Sequence, residues 1–362
     1  MLEFQLNNSV IAVGNLENTA FQELITTTYQ NSRKVIIVDE NTHDCCLEYV
    51  ITAFTSLEDA EVMLLPAGEE NKVMEVCFQV WQALSEYGIS RKDLIINLGG
   101  GMVTDMGGFI ASVFKRGVDF IHIPTSLLGM VDASIGGKTG IDMGPYKNQL
   151  GTFADPRAIF IDPRFLHSLT SEEIVNGFAE MMKHALIADA DHWTVLQEIR
   201  PELLLEQDNL IELIAHSVRI KSEIVEKDPT EKGPRKLLNF GHTIGHGIEG
   251  YFIENEAPIA HGHAVALGIL TESYLSFKSG GVTSEELSRI ISVVVSNFAA
   301  VNIDERARKR ILELMYNDKK NSGNRILGVL LQGLGSAVWD QEYQEMDVME
   351  ALMFLEDCYQ VK

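Results

Sequence analysis

The sequence predicts an α/β domain followed by a mainly α-helical domain, with the boundary near Phe165. Three observations predict it. Short apolar runs that end at turn formers recur through the first half, and a helix-period stripe lies between two of them. Beyond Leu166 the runs give way to long segments of helical period.

The runs are easily placed. Residues 35–38 end at Asp39, 62–65 at Pro66, 120–123 at Pro124 and 159–161 at Asp162, while 94–96 lead to Gly99. Stretches this short and this apolar suit parallel strands buried on both faces. Between the second and third, Val73, Val76, Cys77, Val80, Trp81 and Leu84 repeat at three and four, with Gly88 as a stop. Residues 1–165 therefore read as an α/β nucleotide-binding domain. Residues 166–362 read as helices over 172–188, 210–226, 236–249 and 263–277, with two more before Tyr316. A short apolar stretch at 326–331 reads as strand.

Composition narrows the class. The chain has 362 residues, 46% of them hydrophobic, enough for two domains with their own cores. No run of about eighteen apolar residues occurs, so no membrane span is expected. Residues 1–14 lack the basic and apolar regions of a secretory signal. A formal net charge of -23 argues against nucleic acid as a partner, since phosphate backbones call for clustered Lys and Arg. The cysteines (Cys45, Cys46, Cys77 and Cys358) form no CxxC pair, and an adjacent pair is poor disulfide geometry. Thiols in a reducing cytoplasm are the expectation, and any metal site must use His and carboxylate.

The third run feeds Gly99, Gly100 and Gly101 and then a helix-like stretch. Glycines there let backbone N–H groups approach a pyrophosphate, and the helix N-terminus favours its charge. The turn is not a GxGxxG fingerprint, and a plain tight turn is the competing reading. Asp105, inside the first turns of that helix, is awkward as a core residue. Asp39, with Asn41 beyond it, suits ribose hydroxyls, although a lone acid at a strand end more often caps a helix. Glu69 and Lys72 follow the second run and offer polar groups at the same sheet edge.

Farther on, His242 and His246 lie one helical turn apart, and His261 and His263 follow. Glu180, Lys183 and His184 share a face of an earlier helix. Imidazoles plus a carboxylate are good zinc chemistry, though each His alone is more often a hydrogen-bonded core or surface residue. Spacing favours the pair His242 and His246 and leaves the ligand set open. The Gly136-Gly137-Lys138-Thr139 stretch resembles the end of a P-loop, but the first glycine of that motif is missing. In so acidic a chain, Lys138, Lys147, Lys183, Lys221, Arg235, Lys319 and Lys320 all fall beside Gly, His or Asn. That placement suits an anionic, phosphorylated small-molecule substrate.

Longer motifs then carry a resemblance. Residues 99–109 read GGGMVTDMGGF, 116–140 read RGVDFIHIPTSLLGMVDASIGGKTG, and 147–151 read KNQLG. With AEMMK at 179–183, LNFGHTIGHGIE at 238–249 and DKK at 318–320, the chain closely resembles the 3-dehydroquinate synthases of the sugar-phosphate cyclase superfamily, over about residues 35–335. The resemblance implies the dehydroquinate synthase-like fold, NAD as cofactor, and one divalent metal, zinc or cobalt. It implies Glu180, His242 and His261 as metal ligands, over the spacing preference for His246. It places NAD against Asp39, Asn41, Glu69, Lys72, Gly100, Gly101, Asp105, Thr125, Ser126, Lys138, Lys147, Phe165 and Ser168. The substrate pocket it implies holds Asp132, Lys138, Asn148, Lys183, Lys221, Arg235, Asn239, His246, Lys319 and Lys320. A homodimer is also implied, with Arg116 supplied across the subunit interface.

Departures from the family pattern accompany it. HGE is usual where His261-Gly262-His263 stands, so a carboxylate behind the metal ligand is expected to be missing. Tyr146 stands where a glycine is usual before KN, and Ser126 and Ser168 where threonines are frequent. The implied reaction converts 3-deoxy-D-arabino-heptulosonate 7-phosphate to 3-dehydroquinate and phosphate, through oxidation, elimination, reduction, ring opening and aldol closure. The rivals are a cyclase of glucose 6-phosphate or sedoheptulose 7-phosphate, a metal-dependent alcohol or glycerol dehydrogenase, and a non-catalytic binding module.

Overall fold

The apolar runs of the first half do form strands, because β-branched residues fit a pleated surface buried between helices. In the computed structural model, which describes residues 1–144, 146–317 and 325–360, these are β3 (Lys34–Asp39), β4 (Glu61–Leu65), β5 (Leu94–Gly99), β6 (Asp119–Pro124) and β9 (Ala158–Ile161). An N-terminal hairpin, β1 (Leu2–Leu6) and β2 (Ser9–Val13), joins them in a seven-stranded sheet of order β1-β2-β9-β6-β5-β3-β4. Only β1 runs antiparallel to its neighbour. A second hairpin, β7 (Lys138–Met143) with β8 (Tyr146–Phe153), stands apart from the sheet. Sequence reading missed both hairpins: β1, β7 and β8 mix polar and apolar residues, and the apolar run 10–13 of β2 was passed over.

Burial on both faces holds for β3, β5 and β9. It fails for β4, which is the sheet edge and leaves Val62 and Leu64 exposed. Helices Met74–Glu86 and Gly101–Val113 pack Cys77, Val80, Leu84, Val103, Met106 and Ile110 against Val35, Ile37 and Ile95. Each such side chain contributes about 1.5–3 kcal/mol by leaving water. Successive strands step outward from β3 to β4, then return to the other side of β3 with β5. That reversal is a topological switch point, and it lies between the ends of β3 and β5, where Asp39 and Gly99 stand.

Two units divide the chain, Met1–Glu173 with Gln207–Glu226, and Ile174–Glu206 with Lys227–Lys362. The first cut thus falls at Glu173 instead of Phe165, and one later segment returns to the first unit. Helix Leu210–Lys227 explains the return, since Arg219 lies 5.2 Å over the Phe4 ring and Lys221 binds Asp132. The second unit is mainly helical, with a C-terminal hairpin of β10 (Ile326–Leu331) and β11 (Ala337–Tyr343). Among the described residues, no helix is long and apolar enough to cross a membrane.

One expected helix, 236–249, is broken. A 3-10 turn over Pro234–Asn239 ends, Gly241 takes a left-handed φ of 77°, and a new helix runs His242–Glu254. The break is stabilised by Glu272, a fully buried carboxylate that accepts from the N–H groups of Gly241 (2.8 Å) and Ile244 (3.0 Å). Charge at a helix N-terminus complements its dipole. Glu272 belongs to helix His261–Lys278, which approaches so closely that a Cβ at Gly268 would lie 1.8 Å from the Gly241 carbonyl oxygen.

Inside the sheet, His122 on β6 sits 3.2 Å from the Asn97 amide nitrogen, and burial pushes its pKa down to about 3. An unfolded chain holds the same imidazole near 6.5. Because the folded value is depressed, the stability carried by the neutral ring is complete above about pH 6.5 and is lost as pH falls toward 3. Thermal melts from pH 7 down should show a loss of about 3 kcal/mol by about pH 4, and His122→Gln should flatten that limb.

Candidate active site

In the first unit, polar groups gather at the strand ends beside the switch point. Gly100 precedes the helix Gly101–Val113, and the turn packs on the end of β6, where Thr125 N–H donates to the Gly99 carbonyl at 3.0 Å. A Cβ at Gly100 would lie 3.3 Å from Ser126 Oγ, so glycine allows this approach. Asp39 caps the short helix Glu40–Thr42, accepting at Oδ1 from Thr42 N and Thr42 Oγ1, both at 2.8 Å. The capping role weighed in the sequence is therefore real, and Asn41 lies exposed beside it. Phe165 is buried against Tyr49 with ring centroids 5.7 Å apart, and Ser168 Oγ donates to its carbonyl.

Lys72 is the hub of this region. Its buried ammonium donates to Asp105 Oδ2 at 2.7 Å, Asn148 Oδ1 at 2.8 Å and Glu69 Oε1 at 3.2 Å. Burial alone would lower its pKa, but Asp105 and Glu69 outweigh that and hold it above its ordinary value. Asp105 moves upward, because desolvation exceeds the attraction of Lys72. Lys221 donates to both the carbonyl and the carboxylate of Asp132, each at 2.6 Å. Lys138 and Lys147 are exposed on the β7–β8 hairpin. Since Lys138 opens a strand and no helix, the P-loop resemblance has no structural counterpart. Arg116 is exposed with φ 66° in a left-handed turn with Lys115, φ 49°.

In the second unit, helix Ser171–Ala188 brings Glu180 beside the two histidine-bearing helices. Glu180 Oε1 lies 3.4 Å from His242 Nε2 and 3.8 Å from His261 Nε2. His246 joins them, and ligand atoms of the three imidazoles lie within 4.8 Å of one another. His242 Nδ1 is 3.1 Å from the Phe240 carbonyl oxygen, and His261 Nδ1 is 3.2 Å from Glu249 Oε2. Those acceptors fix the proton on Nδ1 and present Nε2 with its lone pair. Burial first, and then the Lys183 charge, pushes the His242 pKa down to about 3, so the ring is neutral as a ligand must be. Lys183, itself buried, pairs with Glu180. The donor set fits a divalent ion that takes nitrogen and carboxylate ligands.

Glu249 corrects one expectation, for it supplies the carboxylate thought missing behind His261. It was legible as an acid seven residues after His242 on the same helix. His263 turns elsewhere, with Nε2 2.8 Å from the Ala299 carbonyl oxygen and its ring beside Phe298. Replacing Glu249 by Gln should weaken metal binding roughly 10–100-fold in a chelator competition.

Arg235 lies on the 3-10 turn ahead of the His242 helix, buried, with Nη1 2.6 Å from the Pro229 carbonyl oxygen. Asn239 donates to Glu231 Oε1 at 2.7 Å. The loop before them is held by Asp228, which accepts the N–H groups of Lys232, Gly233 and Arg235. Lys319 and Lys320 lie outside the described residues.

Comparison with known proteins now decides the family. The 3-dehydroquinate synthase N-terminal family profile matches residues 62–176, and the C-terminal profile matches residues 177–321. The chain belongs to the 3-dehydroquinate synthase family. A 3-dehydroquinate synthase of Parabacteroides distasonis is 41% identical over 90% of this chain and 91% of its own. Another, of Thermoanaerobacter pseudethanolicus, is 35% identical over 87% and 88%. Among solved structures, 2-epi-5-epi-valiolone synthase of Streptomyces hygroscopicus, with NAD+ and Zn2+ bound, superposes with TM-score 0.84 at 27% identity, covering 99% and 98% of the chains. A 2-deoxy-scyllo-inosose synthase shares the fold at TM-score 0.83 and 20% identity, covering 97% and 99%.

Proposed function

We propose that the protein is a 3-dehydroquinate synthase, turning 3-deoxy-D-arabino-heptulosonate 7-phosphate into 3-dehydroquinate and phosphate in the shikimate route to aromatic amino acids. The observation that carries the reading is the pair of Nε2 atoms, on His242 and His261, both aimed at Glu180 Oε1 by acceptors behind each ring. Glu180, His242 and His261 would hold the ion, zinc or cobalt, and the strand-end groups around Gly100, Gly101 and Asp105 would hold NAD. When bound, these groups supply a reversible hydride acceptor and a Lewis acid for charge on substrate oxygens.

The chain's own residues do the rest. Lys138, Asn148, Asn239, Lys319 and Lys320 bind the phosphoryl and hydroxyl oxygens, while Arg235 and Lys221 take the carboxylate. His246, its ring 5.2 Å from that of His242, receives the proton of the substrate C5 hydroxyl. Asp132 orients Lys221, and Lys183 orients Glu180 through their ion pairs. The departing phosphate itself removes the neighbouring C6 proton. In a cytoplasmic homodimer, the exposed left-handed turn at Lys115 and Arg116 presents Arg116 to the partner's substrate.

Phosphate release from the heptulosonate phosphate, with NAD in catalytic amounts, tests the proposal. Oxidation and reduction occur on one substrate, so each bound NAD should serve many turnovers without NADH accumulating. Absorbance at about 340 nm growing in step with product would instead make the protein a dehydrogenase.

A further inference from the structure

Lys72 and Asn148 meet inside the first unit, and their contact has chemical polarity. The Lys72 ammonium donates three hydrogen bonds, accepted by oxygens of Asp105, Glu69 and Asn148. An ammonium only donates. The end of the Asn148 amide that faces it is therefore the carbonyl oxygen, whichever way the amide would turn alone. The backbone holds the same pairing. Asp142 N–H donates to the Lys72 carbonyl at 2.8 Å, and Asn148 N–H donates to Asp142 Oδ1 at 2.6 Å. Asn148 itself sits at φ 50°, a left-handed conformation that asparagine tolerates better than most residues.

We infer that Lys72 is a positioning residue that fixes the amide of Asn148 so that its NH2 end is the one offered to substrate. The inference rests on the proposed function for the identity of that substrate. With its oxygen committed to Lys72, Asn148 presents two donors on the opposite side of the amide. Two donors suit a group that only accepts, such as a phosphoryl oxygen, and discriminate against hydroxyl donors. The same ammonium binds Glu69 and Asp105, so the loop following β4, the glycine-turn helix and the β7–β8 hairpin share one cation. Removing Lys72 leaves the amide free to present either end, and phosphate recognition falls even where NAD is saturating.

The test uses NAD-saturated protein and inorganic phosphate as the probe, with affinity read by calorimetry. Asn148→Ala should weaken phosphate roughly tenfold, the usual worth of one charge-assisted donor. Lys72→Met should weaken it by a similar factor, and the double variant should be no worse than Asn148→Ala alone. Should Lys72→Met fail to fold, since it strands two carboxylates, Lys72→Arg and Lys72→Gln decide instead. Arg only donates and should keep phosphate affinity within about threefold, whereas Gln, which donates or accepts, should lose it. Unchanged phosphate affinity in Lys72→Met or Lys72→Gln, or effects that multiply in the double variant, would overturn the inference. So would Asn148→Ala binding phosphate as tightly as the parent, while phosphate release from the heptulosonate phosphate, measured separately, left the function standing.

Discussion

Protein stripped of divalent ions by a chelator is expected to lose its activity altogether and to regain it with zinc or cobalt. Glu180, His242 and His261 offer one carboxylate and two pre-oriented Nε2 atoms, and a divalent ion held there would stabilise charge developing on substrate oxygens. His261→Ala should abolish metal binding, by more than the roughly 100-fold typical of losing an outer partner, as read from metal content after dialysis. His263→Ala should leave metal content intact, because its ring is engaged with the Ala299 carbonyl. Full activity in metal-free protein would refute the assignment, and metal loss in His263→Ala alone would move the ligand to His263.

Arg235→Met is expected to raise the KM for the heptulosonate phosphate strongly and to leave NAD and metal binding unchanged. Arg235 lies seven residues before His242 on a turn whose backbone Asp228 fixes through three N–H groups. Arg235 is buried, whereas the competing reading, a surface ion pair with Glu231, would contribute about a kilocalorie at most. A guanidinium held there meets a planar carboxylate with two parallel hydrogen bonds. Losing such a pair is worth about 1.5–3 kcal/mol, hence roughly ten- to hundredfold in kcat/KM. An unchanged value would mean that no carboxylate is read at this position. A cyclase acting on a sugar phosphate without a carboxylate would then be the better reading.

Much of this was legible in the chain, and the reasons are local. Apolar runs of three or four residues announced β3, β5, β6 and β9 because a parallel strand buried on both faces has no polar alternation to preserve. The β7–β8 hairpin was not legible, since β8 is exposed along most of its length and carries no such run. Residues 236–249 looked like one helix because their apolar spacing is continuous. What breaks them is Gly241 in a left-handed turn, held by Glu272 from a helix thirty residues on.

The sequence by itself determined the α/β-then-helical order, the glycine turn after β5, and the one-turn spacing of His242 and His246. Those follow from helical and strand periods and from the backbone freedom of glycine, all properties of neighbours in the chain. Tertiary structure alone decided the chemistry of the individual atoms. It chose Nε2 as the presented nitrogen of His242 and His261, set Glu249 behind His261, turned His263 to Ala299, and gave the Asn148 oxygen to Lys72. Proton placement and side-chain direction depend on partners contributed by distant segments, with separations of 12, 36 and 76 residues in three of these contacts, and no periodicity in the sequence encodes them.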